Sequence, residues 1–232
     1  KNILVAGGTS TGKTTLTNAL LAEVAKTADR VVLIEDTREL QCAARDTVAL
    51  RTKRGLGSGT GAGIVTMADL VRSTLRLRPD RIIVGETRGD EVLDMLQAMN
   101  TGHDGSMTTV HANTPRDALS RLEQMIGMSG IDMPPRSARA QIASAINVVV
   151  QVGRLADGRR RVMSVSELTG MEGETITMQE IYRYKITGRD ENNNVIGRFE
   201  ATGIRPKFHA EAQATGINLP PELFRPDFEM GS

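Results

Sequence analysis

Near its start the chain reads Gly7-Gly8-Thr9-Ser10-Thr11-Gly12-Lys13-Thr14-Thr15, with apolar residues 3–6 just before it and helical periodicity from residue 13 onward. No other stretch constrains the fold as much. Glycines at these places let successive backbone N–H groups turn inward around an anion. A helix beginning at Gly12 aims the positive end of its dipole at the same point. The order strand, loop, helix follows, with a phosphate-sized cradle between the two elements. The stretch fits G-x-x-x-x-G-K-[ST] in full, which places Lys13 to reach outer phosphates and the Thr14 hydroxyl to ligate Mg²⁺. ATP and Mg²⁺ are therefore the expected ligands, and residues 7–15 the expected cradle. The competing reading is a glycine turn of purely structural use. The position between an apolar strand and a helix weighs against it.

Further along, strand-like and helix-like segments alternate. Leu16, Leu20 and Val24 share one face of the first helix, expected over residues 13–26. A buried-type strand at 31–34 ends in Glu35-Asp36, and 47–51 is a third strand. Residues 55–63 have no apolar periodicity and read as a loop. Thr66-x-x-Asp69 resembles a capping box opening a helix with Met67, Leu70, Val71, Thr74 and Leu75 inward, stopped by Pro79. The strand 82–84 follows, then a helix burying Val92, Leu93, Leu96 and Met99 and closing near Gly102. A strand at 106–110 leads to a helix capped by Asn113 or Thr114, with Pro115 early, Leu119, Leu122 and Ile126 buried, and Gly127 as its stop. A further helix over about 135–146 precedes a strand at 148–152. Such alternation predicts an α/β fold with a mostly parallel sheet covered on both faces. After about residue 150 the pattern changes to strands at 162–168, 176–186 and 195–202 joined by Gly, Asp and Asn turns. We therefore expect a core at 1–150 and a small antiparallel extension at 151–232, with a Pro-rich tail, 219–232, that packs irregularly or frays.

In α/β sheets ligands gather at the C-terminal ends of strands, so a second acidic element should end a strand neighbouring the cradle. Glu86 closes Arg81-Ile82-Ile83-Val84-Gly85-Glu86, where Gly85 stands in place of the usual Asp. Thr14 and Glu86 are the metal-side candidates, with Thr14 and waters holding the ion if Glu86 instead orients the attacking water. Glu35, Asp36 and Glu39 follow the second strand and form the other acidic candidate. His103 and His111 flank the 106–110 strand beside Thr108 and Thr109, an arrangement that suggests a γ-phosphate sensor. Zinc is disfavoured, since no further His or Cys stands at ligand spacing. His209 is given no role. Arg72, Arg76, Arg78, Arg81 and Arg88 cluster around the Glu86 strand, either as partners of surface acids or as stabilisers of phosphoryl charge. Arg88 is the first choice for the second role. Arg51, Lys53 and Arg54 read as a solvated basic rim of the glycine-rich loop, with contact to a neighbouring subunit or a polymer as the alternative.

Composition excludes several classes. The 232 residues carry a net charge of +1 and only 3% aromatics with no Trp, which leaves little for nucleic-acid stacking or phosphate tracking. A nucleic-acid translocase is therefore the weaker alternative. The single Cys42 rules out an internal disulfide and suits a reducing cytoplasm. No apolar run reaches the roughly 18 residues of a membrane helix. The 23 Arg against 6 Lys read first as codon bias. The chain opens one residue before a core strand, so further N-terminal sequence is expected ahead of it.

Taken in order, the Gly7–Thr15 motif, Glu35-Asp36-Thr37-Arg38-Glu39-Leu40, Val84-Gly85-Glu86-Thr87-Arg88-Gly89 and Thr101-Gly102-His103 through His111-Ala112-Asn113 resemble the type II/type IV secretion ATPase superfamily. In that family they are the Walker A, Asp box, Walker B and His box. Residues 93–113, Gly170-Met171-Glu172-Gly173-Glu174 and Thr202-Gly203-Ile204-Arg205-Pro206 resemble its CpaF branch, which drives Tad/Flp pilus assembly. Residues 35–43 and the glycine-rich loop look more like the conjugal-transfer TrbB branch. The Cys-x-x-Cys module of the type II secretion branch is absent. The resemblance implies a RecA-like motor domain within a homo-hexamer, and a separate N-terminal domain that is not in this chain. It also implies a cytoplasmic location, peripheral at the inner membrane against platform proteins of a secretion or pilus machine. Neither membrane insertion nor nucleic-acid binding is expected. A scaffold that binds ATP without turning it over is a third reading.

Overall fold

A computed structural model describes residues 1–53 and 63–227. The expected loop at 55–63, apart from Gly63, lies outside the described residues, as do Arg54 and residues 228–232. The first half of the chain forms β1 (Ile3–Gly7), α1 (Lys13–Val24), β2 (Arg30–Glu35), β3 (Asp46–Arg51), α2 (Met67–Thr74), β4 (Arg81–Val84) and α3 (Glu91–Asn100). The second half forms β5 (Met107–His111), α4 (Pro115–Met128), α5 (Pro135–Ala145), β6 (Val148–Arg154), β7 (Arg160–Glu172), β8 (Thr175–Arg189), β9 (Val195–Ala201) and α6 (Phe208–Ala214).

All nine of these strands join one sheet in the order β3-β2-β4-β5-β1-β6-β7-β8-β9. Pairing is parallel from β3 through β6 and antiparallel from β6 through β9. The central parallel strands β1, β2 and β4 carry apolar runs because both faces are covered. Leu4, Ala6, Val32, Ile34, Ile82, Val84 and Val110 face a core with Val71, Leu96, Leu122 and Ile142 of α2, α3, α4 and α5. On the opposite face, Ile3, Val31, Leu33, Ile83 and Met107 meet Leu20, Leu21 and Val24 of α1.

Several expectations are corrected. The buried stripe of α1 is Thr17, Leu21 and Val24, one position round from Leu16, Leu20 and Val24. Thr17 tolerates burial because its hydroxyl donates to the Lys13 carbonyl at 2.9 Å, so no polar atom is stranded. Gly127 does not stop α4, which runs on through Met128. The antiparallel strands expected after residue 150 are present and continue the same sheet, with residue 150 inside β6. The tail is held down: Glu167 accepts the Lys207 and Phe208 backbone N–H groups at 2.7 and 2.9 Å at the start of α6. Phe224 is buried against Tyr182 and His209. At the same end of the sheet, just before β1, Asn2 is 2% exposed and works as a polar staple. Its amide donates to the Met99 and Ala145 carbonyls and accepts the Gly105 and Ser106 N–H groups. Among the described residues, no helix is long and apolar enough to cross a membrane.

Candidate active site

The turn from β1 into α1 has the backbone that the glycine pattern requires. Gly12 has φ +100° and Ser10 has φ 57°, both left-handed. A Cβ on Gly7 would collide with the Thr11 hydroxyl and the Val152 side chain of β6. Gly12 is the N-cap of α1 and no side chain caps the helix. By contrast, Thr66 and Thr114 each cap their helix through a side-chain oxygen. The first-turn donors of α1 are thus left to a ligand.

Lys13 folds back over the loop, donating to the Gly7 and Gly8 carbonyls at 3.0 and 2.9 Å. Burial pushes its ammonium below the usual range; Glu86 pulls it back up and Arg88 pushes it down. The Thr14 hydroxyl donates to Glu39 Oε2 at 3.2 Å. Glu35 is 6% exposed, and its Oε1 accepts the Glu39 and Leu40 N–H groups at 2.9 and 2.8 Å. Glu35 therefore braces the loop that carries Glu39 to Thr14. Asp36 accepts from the Thr52 hydroxyl at 2.7 Å.

Glu86 is paired with Arg88, whose Nε donates to Glu86 Oε2 at 2.7 Å. That bond holds the Arg88 guanidinium above its ordinary value. The end of β4 is tied to β5 by Thr109, whose hydroxyl donates to the Gly85 carbonyl at 2.8 Å. Thr87 and Thr108 share a further hydroxyl contact at 2.7 Å.

These groups line one open cleft of about 350 Å³. Ser10 through Thr15 form its floor, with Glu35, Asp36, Glu39, Glu86, Arg88 and Thr109 along one side. Gly7, Gly8 and Thr9 do not line it; Gly7 and Gly8 serve through their carbonyls, and Thr9 faces solvent. The acids also sit farther along the sheet than expected. β5 separates β1 from the Glu86 strand, and β4 separates β5 from the Glu35 strand.

His111 pairs with Gly7 in register at the cradle end of β5, is exposed and does not line the cleft. His103 lies beyond the other end of β5, roughly a strand length, ~17 Å, from His111. Its Nδ1 lies 3.0 Å from the Ala98 carbonyl at the end of α3. The two histidines flank one strand, and a strand's two ends cannot reach one ligand. Arg72 and Arg81 pair with Asp94 and Asp29 at 3.0 and 2.6 Å, away from the cleft.

The sequence reading missed Met67, Thr37 and Arg160, which also line the cleft. The only signal for Arg160 was the Arg159-Arg160-Arg161 run after the Asp157-Gly158 turn. Among the described residues no cluster of three His, Cys, Asp or Glu could hold a metal. The Thr14 hydroxyl and Glu39 carboxylate do converge, a donor pair that suits Mg²⁺ completed by phosphate oxygens and water.

Residues 1–200 match the family described as Type II/IV secretion system protein. The conjugal transfer protein TrbB of Rhizobium radiobacter is 44% identical over 174 residues, 74% of this chain and 49% of that protein. The type IV secretion system protein VirB11 of Bartonella quintana is 36% identical over 167 residues, 71% of this chain and 46% of that protein. Among solved structures, the VirB11 ATPase from the Brucella suis type IV secretion system superposes with a TM-score of 0.63 at 34% identity, covering 71% of this chain and 49% of that one. The pilus retraction motor PilT with bound ADP shares the fold alone, at 20% identity and a TM-score of 0.50 over 77% of this chain and 46% of that one. The chain spans about half the length of the curated relatives it matches.

Proposed function

Because the chain belongs to the type II/IV secretion system protein family, we propose that it is the motor core of a secretion ATPase that converts Mg-ATP hydrolysis into movement between subunits. One observation carries the reading: an uncapped helix start, a Thr14–Glu39 donor pair and the Glu86 carboxylate open onto a single cleft. The bound Mg²⁺ would neutralise phosphate charge. Ser10 through Thr15 cradle the phosphates, Gly7 and Gly8 shape the turn behind them, and Lys13 exchanges its two carbonyl partners for phosphate oxygens. Thr14 is the metal-side hydroxyl, with Glu39 next to it and Glu86 within the same cleft. Glu86 orients the attacking water, and Arg88 stabilises charge on the transferring group in cis or across a subunit interface. Glu35 and Asp36 hold the acidic loop in place, and His111 is the histidine at the cradle end of the sheet.

The assembly we propose is a homo-hexamer, cytoplasmic and peripheral at the inner membrane, acting on platform proteins of a secretion machine. Residues 1–150 are the motor core and 151–232 its β-rich extension. As to cargo, relatives named as conjugal transfer and type IV secretion proteins support a transfer system. The Tad pilus reading rests on residues 93–113, 170–174 and 202–206.

Glu86→Gln in the full-length protein is expected to bind ATP with native affinity and lose turnover by ~100-fold or more. A native rate in that variant overturns the role given to Glu86. A single-turnover assay on the native protein separates the motor from a scaffold that binds ATP without hydrolysing it.

A further inference from the structure

Arg160 opens β7, which pairs with β6, which in turn pairs with the cradle strand β1. That pairing carries its side chain over the start of α1. Arg160 Cδ lies 3.4 Å, and Cβ 3.9 Å, from where a Cβ would stand on Gly12. A Cβ there would meet Arg160 only in ordinary van der Waals contact, so the glycine answers to the turn, and the distances place the Arg160 side chain directly over it.

The other cations of the cleft are engaged: Lys13 by the Gly7 and Gly8 carbonyls, Arg88 by Glu86. Within the run, Arg159 faces Asp157 at 3.9 Å, and Arg161 donates to the Arg160 carbonyl at 3.0 Å. Among the described residues the Arg160 guanidinium has no carboxylate partner, and its side chain lines the cleft.

Its side of the cleft matters. The order β2-β4-β5-β1-β6-β7 brings Glu35 and Glu86 in from one flank of the cradle strand and Arg160 from the other. On the reading above, Glu86, Arg88 and Thr109 mark the end of the cleft where the terminal phosphate would react. The opposite flank is left for the inner phosphates, which ADP and ATP share. A forked guanidinium there presents parallel donors to phosphate oxygens.

The geometry points to Arg160 as a nucleotide-positioning residue that grips the diphosphate part of the ligand within its own subunit, setting affinity for ADP and ATP alike and leaving the rate of phosphoryl transfer to Glu86 and Arg88. This inference rests on the ATPase reading above.

Calorimetric titration of the full-length protein with Mg-ADP and with a non-hydrolysable Mg-ATP analogue, alongside steady-state turnover, tests it. Arg160 is exposed, so its truncation leaves the fold intact. Arg160→Ala should weaken both ligands by ~10-fold, raise KM by a similar factor and leave kcat within about twofold. Arg160→Lys should recover part of the affinity, because it restores charge without the fork. Arg159→Ala, which removes the same charge one residue away, should change neither affinity nor rate. Native ADP affinity in Arg160→Ala overturns the proposal; if kcat also falls, the residue acts on the reacting phosphate instead. A native protein that binds neither ligand overturns the ATPase reading itself, a result distinguishable from either of these.

Discussion

Gly85 stands before Glu86 where an aspartate is usual, and its neighbour explains the exchange. A Cβ at this position would lie 3.1 Å from Glu35 Cγ and 3.6 Å from Glu35 Oε1. Glu35 cannot move aside, because the same Oε1 holds the Glu39 and Leu40 N–H groups. An aspartate at 85 would press a second carboxylate onto a buried one. Gly85→Ala should therefore cost about 1 kcal/mol from crowding alone. Gly85→Asp should cost more, about 2–4 kcal/mol, with like-charge repulsion added to the crowding. The excess of Asp over Ala should shrink in a Glu35→Gln background, since the pair interacts directly. Denaturant titration of the four proteins measures this. An excess that persists without the Glu35 charge would mean crowding explains all of it.

At the scale of elements, β4 is anchored to the turn before β2 by Arg81, whose Nε donates to Asp29 Oδ2 at 2.6 Å. That hydrogen bond, aided by Thr27, holds the Asp29 carboxyl below its usual range against the opposing effect of burial. A depressed carboxyl adds stability that is present above the unfolded value, about 3.9, and is lost as pH falls through the folded one. Asp29→Asn should thus flatten the acid limb of the stability profile below about pH 4. At neutral pH it should cost no more than about 1 kcal/mol, because both side chains keep solvent contact. Melting curves from pH 7 to pH 3 report it; identical acid limbs in the two proteins would remove the pair from the argument. Elements with local signals were legible in the sequence: the Thr66–Asp69 capping box and the Thr114-Pro115 start are both present. Where the signal is remote, reading failed. The donors at the start of α6 are taken by Glu167, some forty residues earlier, which no local window includes. The site divides in the same way. Lys13, Thr14, Glu39 and Glu86, all of which line the cleft, stand out in the sequence by motif or by following a strand. Arg160 did not, because finding it needs the fact that β6 and β7 continue the sheet beside β1. His103 misled because adjacency to a strand was visible but the end it occupies was not.

For the whole molecule, the change of pattern near residue 150 suggests two units, yet the sheet has no seam there. Val149 and Val150 of β6 pair in parallel with Leu4 and Val5 of β1, and antiparallel with Ser166 and Val165 of β7. Leu168 and Ile176, from the antiparallel part, lie in the same buried cluster as Leu4, Ile34 and Ile142. Removing β7 and β8 would expose apolar surface on α5 and leave β6 as an open edge whose backbone donors and acceptors only water or another strand could pair. The tail locks the same region from outside, with the Tyr182 hydroxyl donating to the Leu223 carbonyl at 3.0 Å. The parallel and antiparallel parts should therefore melt together. Scanning calorimetry is expected to give one transition whose calorimetric and van't Hoff enthalpies agree. Phe224→Ala should lower that transition, by an amount capped by the free energy of releasing the tail alone, without splitting it. Two resolved peaks, or a protease-stable fragment ending near residue 154, would show that the extension folds on its own.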